Sequence, residues 1–443
     1  MIHRYFPHTK QEIDTMLKRC GVTSLDDLYA DVPQELRLEK AYDLPAEMSE
    51  KEVRDYFDRL GSRNRRLTCF AGAGFYDHYT PSVIPALISR SEFLTAYTPY
   101  QPEISQGTLQ YIFEYQSMMA TLTGMEVSNA SMYDGTTATA EAMMMAVAHA
   151  RRRNRVLVSA TLNPATRRVV ETYARYHGVT VDIIAEDPQL GVTSRADLEA
   201  KLAEGNVAGV ILPTPNFYGI LEDLTGIADL CHANKALLIL NTIPSALGVI
   251  RTPGSWSADI AVGDGQSLGM PLSYGGPYLG FICCSKALIR KMPGRIVGAT
   301  KDADGQRVFV LTLQAREQHI RRDKATSNIC SNQGLMALYA TIYLAVMGAD
   351  GLRRINEESY AGAHWLMEQL TATGKLTPAY PDSPVLNEFV MTSRVDIDEL
   401  IARCIAEGIL PGVKIAPDRI LIAVTEMQSR ADMERLVKIV DAL

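Results

Sequence analysis

Six short apolar segments alternate with helical segments between residues 156 and 283, and this alternation constrains the fold more than any other feature of the sequence. The apolar segments are residues 156–159, 179–184, 207–212, 236–240, 260–262 and 278–283, and helical patterns at 164–176, 194–203 and 224–234 separate most of them. Strands that lack a polar face and are joined by helices predict a mostly parallel sheet covered on both sides. Ligands of such sheets bind at the carboxyl ends of the strands.

Start and stop signals of helices predict three regions in the 443 residues, a length of roughly three ordinary domains. The capping boxes that begin at Thr9 and Ser49 predict short helices in an N-terminal segment, 1–65. A large α/β domain is expected over 66–330. Residues 331–443 are expected to form a connecting helix (333–347) and a small C-terminal α/β domain, with strands at 388–391 and 420–424 and helices at 397–407 and 430–442.

Composition and residue spacing argue against several classes of function. The 51 acidic and 44 basic residues give a net charge of −7, which disfavours a nucleic-acid partner. The seven cysteines form no C-x-x-C pair and the eight histidines are dispersed, so neither a disulfide framework nor a metal site is expected. Uncharged apolar residues nowhere continue for the length of a membrane span. A cytoplasmic protein that neither enters a membrane nor binds a metal is therefore predicted.

Small and hydroxyl residues precede a helix at 129–138, and they offer one candidate site. Exposed amides at a helix N-terminus favour an anion, so this segment is a candidate phosphate seat. The alternative is that Gly135 and the threonines after it simply cap the helix. The sequence contains neither a P-loop nor a complete dinucleotide-binding glycine pattern nor a G-x-S-x-G nucleophile turn.

Two polar segments could contact a substrate or cofactor. The first, 97–107, holds hydroxyl and amide side chains around two prolines that stiffen the backbone, which suits substrate contact. The second, 316–328, combines arginines with a Thr-Ser-Asn sequence that suits a phosphate or carboxylate. The alternatives are a solvated loop held by its own hydrogen bonds and a solvated charged face.

Four sequence strings together resemble one protein family. They are Phe70-Ala71-Gly72-Ala73-Gly74 through His78-Tyr79, residues 92–101, Asn129-Ala130-Ser131, and Thr326-Ser327-Asn328-Ile329-Cys330. The chain resembles the P-protein of the glycine cleavage system, in the α-subunit type that corresponds to the N-terminal half of that protein. The resemblance implies a fold-type-I transferase-like architecture of the kind that uses pyridoxal phosphate (PLP), with a mostly parallel sheet in a large domain and a small C-terminal α/β domain.

The resemblance also implies an activity shared among several proteins. With a PLP-bearing β subunit (subunit 2), the chain would act as glycine dehydrogenase (aminomethyl-transferring). Glycine would lose CO₂, and its aminomethyl group would pass to the lipoyl arm of H-protein, which is reduced in the same step. T-protein and dihydrolipoyl dehydrogenase would be partners in the pathway.

Two positions depart from what the family's chemistry requires. A lysine forms the Schiff base with the cofactor, and a carboxylate holds the pyridine nitrogen protonated. In the PLP-bearing half of the family, the lysine stands five residues before a proline that precedes a glycine-rich run. The corresponding proline here is Pro271, and the residue five positions before it is Gln266. At the end of the 236–240 strand, Asn241 stands where the carboxylate is expected. The resemblance therefore implies that this chain holds no catalytic residue of its own and only vestigial cofactor positions.

The chain would instead lend residues to the partner's pocket. By resemblance, Tyr97, Thr98, Tyr100 and Gln101 would shape the glycine end. Arg321, Arg322, Thr326, Ser327 and Asn328 would meet the cofactor phosphate or the lipoyl arm. Two alternatives remain: an independent PLP enzyme, for which Lys235 and Lys286 are the nearest lysines, and a non-catalytic scaffolding or regulatory pseudoenzyme.

Overall fold

The computed structural model describes Tyr5, residues 7–38, Lys40 and residues 42–443, and it divides between Arg65 and Arg66 into two compact units. The N-terminal unit contains α1 (Lys10–Cys20) and α2 (Glu50–Gly61). Both predicted capping boxes are confirmed, because each N-cap hydroxyl accepts a backbone N–H of the first turn while a glutamate three residues later accepts the N-cap N–H. Gly21 ends α1 in the left-handed conformation.

The second unit, Arg66–Leu443, contains the remaining strands and helices. Its strands are β1 (Thr68–Cys69), β2 (Val127–Ser128), β3 (Arg155–Ser159), β4 (Thr180–Ile184), β5 (Glu186–Asp187), β6 (Val192–Thr193), β7 (Val207–Pro213), β8 (Leu237–Asn241), β9 (Ile260–Asp264), β10 (Gly280–Cys284), β11 (Ile296–Lys301), β12 (Arg307–Thr312), β13 (Leu376–Pro378), β14 (Glu388–Ser393), β15 (Ile409–Leu410), β16 (Val413–Ala416) and β17 (Arg419–Ala423). Its α-helices are α3 (Val83–Ile88), α4 (Ser91–Leu94), α5 (Gln106–Thr123), α6 (Gly135–Ala150), α7 (Pro164–His177), α8 (Arg195–Ala203), α9 (Ile227–Ala233), α10 (Gln318–Arg321), α11 (Gly334–Ala372), α12 (Ile397–Ala406) and α13 (Arg430–Asp441).

A seven-stranded sheet forms the centre of this unit, in the order β2-β10-β9-β8-β7-β3-β4. The five strands from β9 to β4 are parallel, whereas β10 runs antiparallel to β9 and β2 antiparallel to β10. The mostly parallel sheet is therefore confirmed, and each of the six apolar segments forms a strand in it. The sequence did not predict β2, which is only two residues long.

Both faces of the sheet are buried, as the unbroken apolar segments predicted. Ile211 of β7 and Ile239 of β8 pack with α6 on one face. The alternate residues, such as Val210 and Leu238, pack on the other face with α8 and α9. Side chains of a strand alternate between faces, so strands without a polar face require helices on both sides.

A smaller antiparallel sheet lies toward the C-terminus, in the order β13-β14-β17-β16. It shares a core with α12 and α13, in which Phe389 and Leu421 pack with Leu400 and Leu436. The predicted strands at 388–391 and 420–424 and both predicted helices are present, while β13 and β16 were not predicted. Because Arg66–Leu443 forms one compact unit, the boundary between residues 330 and 331 stays a prediction.

The helix α11 is long and apolar enough to cross a membrane by length and composition alone. It is interrupted at Gly348, whose φ of 60° and ψ of −172° are not helical, one residue after the predicted end at 347. Before this break, Ala337, Tyr339 and Tyr343 are buried in a cluster with Met119 and other residues of the unit. The helix therefore packs as a core helix of this unit.

Candidate functional site

A cavity of about 80 Å³ lies at the carboxyl ends of the central parallel strands, where ligands of such sheets bind. Asn241 ends β8 and Asp264 ends β9, and both line the cavity. The Asn241 side-chain Nδ2 donates to Thr139 Oγ1 on α6 at 2.8 Å. Asn241 is thus at the strand end that the sequence predicted, and its amide is already bonded within the chain.

The N-terminus of α6 borders the same cavity, but its amides are bonded to carboxylates of this chain. Asp134 Oδ1 accepts from the N–H groups of Thr136 and Thr137, each at 2.9 Å. Asp264 Oδ2 accepts from the Gly135 N–H at 2.9 Å. The first three amides of the helix are therefore satisfied without a ligand. The cap consists of the Asp134 carboxylate and of Asp264 from β9 rather than of Gly135 and the threonines, and it occupies the amides that the predicted phosphate seat would use.

Gln266 is fully buried and connects two distant parts of the chain. Its Oε1 accepts from the Tyr76 N–H at 2.9 Å, and its Nε2 donates to the carbonyl oxygens of Tyr76 and Met270, each at 2.7 Å. The side chain is not among those that line the cavity. The sequence singled out Gln266 but not its bonds to Tyr76. Because Tyr76 lies 190 residues earlier in the chain, no local pattern could indicate them.

Two buried carboxyl groups on the cavity wall were not predicted from the sequence. Burial raises the pKa of Asp264 to about 6 and the pKa of Glu388 to about 7. Glu388 Oε1 accepts from the Ala73 N–H at 2.6 Å, and its Oε2 lies 2.8 Å from the Tyr76 hydroxyl. Glu388 begins β14 of the C-terminal sheet, and only the tertiary structure brings it to the end of the central sheet.

The Glu388→Gln variant is expected to lose part of the pH dependence of stability. The pKa of Glu388 is raised from its ordinary 4.5 to about 7, so the unfolded chain releases this proton first as pH increases. The contribution of Glu388 to the free energy of unfolding should therefore fall by about 3 kcal/mol between those two values and level off above them. Glutamine resembles the neutral acid and does not titrate. Denaturation midpoints at several pH values measure the difference.

The exposed Glu368 on α11 provides the matched control for this prediction. We expect the Glu368→Gln variant to follow the wild-type pH dependence. Parallel curves for wild type and Glu388→Gln would contradict a raised pKa at Glu388.

The loop residues predicted to shape a glycine pocket lie before α5, and none of them lines the cavity of Asn241 and Asp264. Tyr97 is 84% exposed and Tyr100 is 51% exposed, whereas Pro99 between them is buried. Thr98 is half-buried and Gln101 is exposed. The structure thus leaves Tyr97 largely exposed and Tyr100 half exposed, on a backbone whose Pro99 is buried between them.

The residues of the second predicted segment separate into two groups. Thr326, Ser327 and Asn328 line a larger cavity, of about 600 Å³, against α6 and α7. Arg321 and Arg322 are exposed and do not line it.

Glu141 of α6 also lines this larger cavity, and it forms a hydrogen bond with the segment that contains Thr326. Ser327 Oγ donates to Glu141 Oε1 at 2.7 Å. Burial raises the pKa of Glu141 to about 7. Neither Glu141 nor this bond was predicted, because Glu141 lies 186 residues before Ser327 in the chain.

Arg295, which was not singled out in the sequence, connects the two predicted segments. Its Nη2 donates to the Cys330 carbonyl oxygen at 2.6 Å and lies 3.4 Å from the Tyr100 hydroxyl. The structure therefore brings Tyr100 close to the end of the 326–330 string. An isolated arginine next to a strand carries no signal by which the sequence could have indicated this role.

Comparisons with known proteins identify the family of the chain. The family described as glycine cleavage system P-protein matches residues 3–440. A probable glycine dehydrogenase (decarboxylating) subunit 1 from Moorella thermoacetica is 48% identical over 441 residues, which cover 98% of each chain. The Bacillus subtilis protein of the same name is 44% identical over 447 residues, covering 99% of this chain and 98% of its own.

Solved structures give the same result. A glycine decarboxylase (P-protein) of the glycine cleavage system, in inhibitor-bound form, is 40% identical with a TM-score of 0.89, covering 99% of this chain and 100% of its own. A sphingosine-1-phosphate lyase from Burkholderia pseudomallei is only 15% identical but has a TM-score of 0.66, covering 93% of this chain and 94% of its own, which shows a shared fold alone. The expected PLP fold-type-I architecture is confirmed. By its sequence profile and its full-length relatives, the chain belongs to the glycine cleavage system P-protein family.

Proposed function

We propose that this chain is the α subunit of a glycine decarboxylase and acts together with a second subunit that carries PLP. Its relatives are named subunit 1 and match over nearly their whole length, so the name itself implies a subunit 2. In the assembled enzyme glycine loses CO₂, and its aminomethyl group passes to one sulfur of the oxidised lipoyl disulfide of an H-protein while the other sulfur becomes a thiol. T-protein and dihydrolipoyl dehydrogenase then act on the product.

The residues at the carboxyl ends of the strands do not fit PLP in this chain. Gln266 has no amine to form the cofactor linkage, and its amide is committed to the backbone. Asn241 cannot pair ionically with a pyridinium. The amides of α6 that would hold a phosphate are bonded to Asp134 and Asp264, and two carboxylates there would repel a phosphate. The filled α6 N-terminus is the observation that carries the proposal of a cofactor-free subunit.

The Tyr97–Gln101 loop is proposed to enter the partner's pocket at its glycine end. Tyr97 and Tyr100 are 84% and 51% exposed, so both large side chains are accessible to a partner. Aromatic residues are enriched at the centre of protein interfaces. A backbone anchored by the buried Pro99 would hold both rings in place before the partner arrives, which favours binding.

The Thr326–Asn328 segment is proposed to meet the cofactor phosphate of the partner or the lipoyl arm. Thr326 and Asn328 line the cavity together with Ser327, and a threonine hydroxyl and an asparagine amide donate hydrogen bonds to phosphate and carbonyl oxygens, whereas the Ser327 hydroxyl already donates to Glu141. Arg321 and Arg322 are exposed just before this segment. They would add positive charge from the surface rather than from within the cavity.

The two alternatives are supported less well. An independent PLP enzyme needs a lysine at the cavity, but Lys235 and Lys286 are both exposed and do not line it. A scaffold that stays outside the partner's pocket would not need exposed tyrosines on a rigid loop. The proposal also places the protein in the cytoplasm, because its seven cysteines are free thiols, four of them buried.

Exchange of the glycine carboxyl carbon with labelled bicarbonate tests the proposal. We expect no exchange with this chain alone, because it does not hold the cofactor, and rapid exchange when the chain is mixed with subunit 2 and PLP. Subunit 2 by itself should be at least about 100-fold slower, since a pocket that lacks one wall admits water and loses positioning. Exchange catalysed by this chain alone would overturn the proposal.

The Tyr100→Phe variant distinguishes a subunit that contributes residues to the partner's pocket from a scaffold that stays outside it. We expect the variant to assemble with subunit 2 but to lower kcat/KM for glycine about tenfold, because one hydroxyl contact is lost. Tyr360→Phe is the matched control, since Tyr360 is 48% exposed but lies on α11. Equal kcat/KM for both variants would favour the scaffold.

A further inference from the structure

Arg295 is a buried arginine whose known partners are all neutral. Its side chain is 3% exposed, immediately before β11. Its Nη2 bonds the Cys330 carbonyl oxygen and the Tyr100 hydroxyl, and its Nη1 lies 3.4 Å from Asn332 Oδ1. Its Nε is buried and has no hydrogen-bond partner among the residues that the structure describes. Burial of a charge is costly unless it is compensated, so an arginine retained here calls for a reason beyond packing.

Arg295 forms hydrogen bonds with residues in or next to the two segments that, in the proposed function, enter the pocket of subunit 2. Tyr100 lies 195 residues before Arg295, and Cys330 lies 35 residues after it. The guanidinium carbon also lies 5.6 Å from the centre of the Tyr100 ring, within range of a cation–π interaction. One side chain therefore holds both segments at once.

The chemistry of the guanidinium determines what Tyr100 can do. A guanidinium only donates hydrogen bonds, so the Tyr100 oxygen is the acceptor in this pair. The phenol proton is then left free to be donated to another group, and the tyrosine as a whole is half exposed. The planar fork reaches Tyr100 and Cys330 in fixed directions, which the single ammonium of a lysine does not reproduce.

We propose that Arg295 is a positioning residue for the reaction: it holds the Tyr100 hydroxyl in place with its proton free to be donated, and it ties the Tyr97–Gln101 loop to the segment at 326–332. Arg295 itself touches neither substrate nor cofactor. The inference rests on the proposed function, because it assigns a role to residues that enter the partner's pocket.

A double-mutant cycle in the assembled complex tests the coupling. Arg295→Lys keeps the charge and is expected to lower kcat for glycine–bicarbonate exchange about tenfold while KM changes less than threefold. Combining it with Tyr100→Phe should give less than the product of the two single effects, because both changes remove the same contact. A full product of the two effects would overturn the proposal. Arg155→Lys is the matched control, since Arg155 also joins distant elements but lies near Asp182 and Glu204.

Amide hydrogen exchange measured by mass spectrometry tests the positioning without relying on activity. In the Arg295→Lys complex, peptides that cover 97–104 and 326–333 should both exchange at least fivefold faster, while the rest of the chain is unchanged. Unchanged protection of both peptides would overturn the positioning. Faster amide hydrogen exchange with an unchanged kcat would instead contradict the proposal that these segments enter the pocket of subunit 2. Arg295 would then have no role in the reaction.

A second variant guards against failure of Arg295→Lys to fold or assemble. Asn332→Ala leaves Arg295 in place and removes one of its partners. We expect faster exchange in 326–333 and, because Arg295 also holds Tyr100, a smaller increase in 97–104. Faster exchange confined to 326–333, or unchanged protection of both peptides, would overturn the connection.

Discussion

Replacing Gln266 by lysine is expected to destabilise the chain by about 3 kcal/mol and to create no covalent PLP site. The loss of the amide removes the acceptor of the Tyr76 N–H in a fully buried position, and an unsatisfied buried donor costs about 1–3 kcal/mol. Burial of the new ammonium adds a further desolvation cost. Thermal denaturation measures the destabilisation.

The cofactor half of this prediction follows from the α6 N-terminus. Asp134 and Asp264 already bond its first amides, so a lysine alone would not supply a phosphate site. Borohydride reduction in the presence of PLP, followed by peptide mass mapping, should find no modification at position 266. A reduced PLP adduct at that position would show that the missing lysine alone prevents cofactor binding, and it would contradict a role of Asp134 and Asp264.

The Gln266→Met variant distinguishes the two causes of destabilisation. It removes the three hydrogen bonds of the amide without adding a charge, so it should lose less stability than Gln266→Lys. Gln110→Met is the control, because Gln110 is exposed on α5 and bonds only Glu114 in the described hydrogen bonds of its side chain. We expect that variant to change stability by less than about 0.5 kcal/mol.

Replacing Gly219 by alanine is expected to destabilise the protein by at least about 4 kcal/mol. Gly219 lies in the turn after β7 with φ of +80°, where an added Cβ would lie 1.9 Å from the Glu388 carbonyl oxygen. Backbone atoms cannot move aside as a flexible side chain can. The clash would separate the turn from the start of β14, and with it the carboxyl group of Glu388 from the cavity. The shift of the denaturation midpoint measures the effect.

Gly178→Ala provides the comparison for this prediction. Gly178 ends α7 with a similar φ of +66°, but no heavy atom lies within 4 Å of its added Cβ. Only the left-handed backbone strain remains, which costs about 1 kcal/mol. If the two variants lost equal stability, the close approach at Gly219 would not be the cause.

The order of local elements could be predicted well from the sequence because its signals are local. Apolar segments without a polar face predicted the central strands, and the capping residues Thr9 and Ser49 predicted the starts of two helices. The end predicted for the helix at 333–347 coincides with the non-helical Gly348. Short elements such as β2 and β13 escaped prediction, because two or three residues carry no periodicity.

The candidate site could be predicted only in part. Asn241 and Gln266 were singled out because the resemblance to the family says where its lysine and carboxylate are expected, and counting along the chain then gives these two residues. Asp264 and Glu388 were not found, since an acidic residue at a strand end is indistinguishable from a solvated one until the fold buries it. The phosphate seat at 129–138 was left open for the same reason: the sequence shows the helix start but not the carboxylate of Asp264 that reaches it from 129 residues away.

The sequence by itself determined the family and the α/β architecture, and its resemblance to the family directed attention to Gln266 and Asn241. Tertiary structure alone decided what those positions do: that Gln266 bonds Tyr76, that carboxylates fill the α6 N-terminus, and that Arg295 joins Tyr100 to Cys330. The physical reason is range. Propensity, periodicity and capping act over a few neighbouring residues, whereas buried hydrogen bonds are completed by groups that meet only when the sheet brings distant segments together.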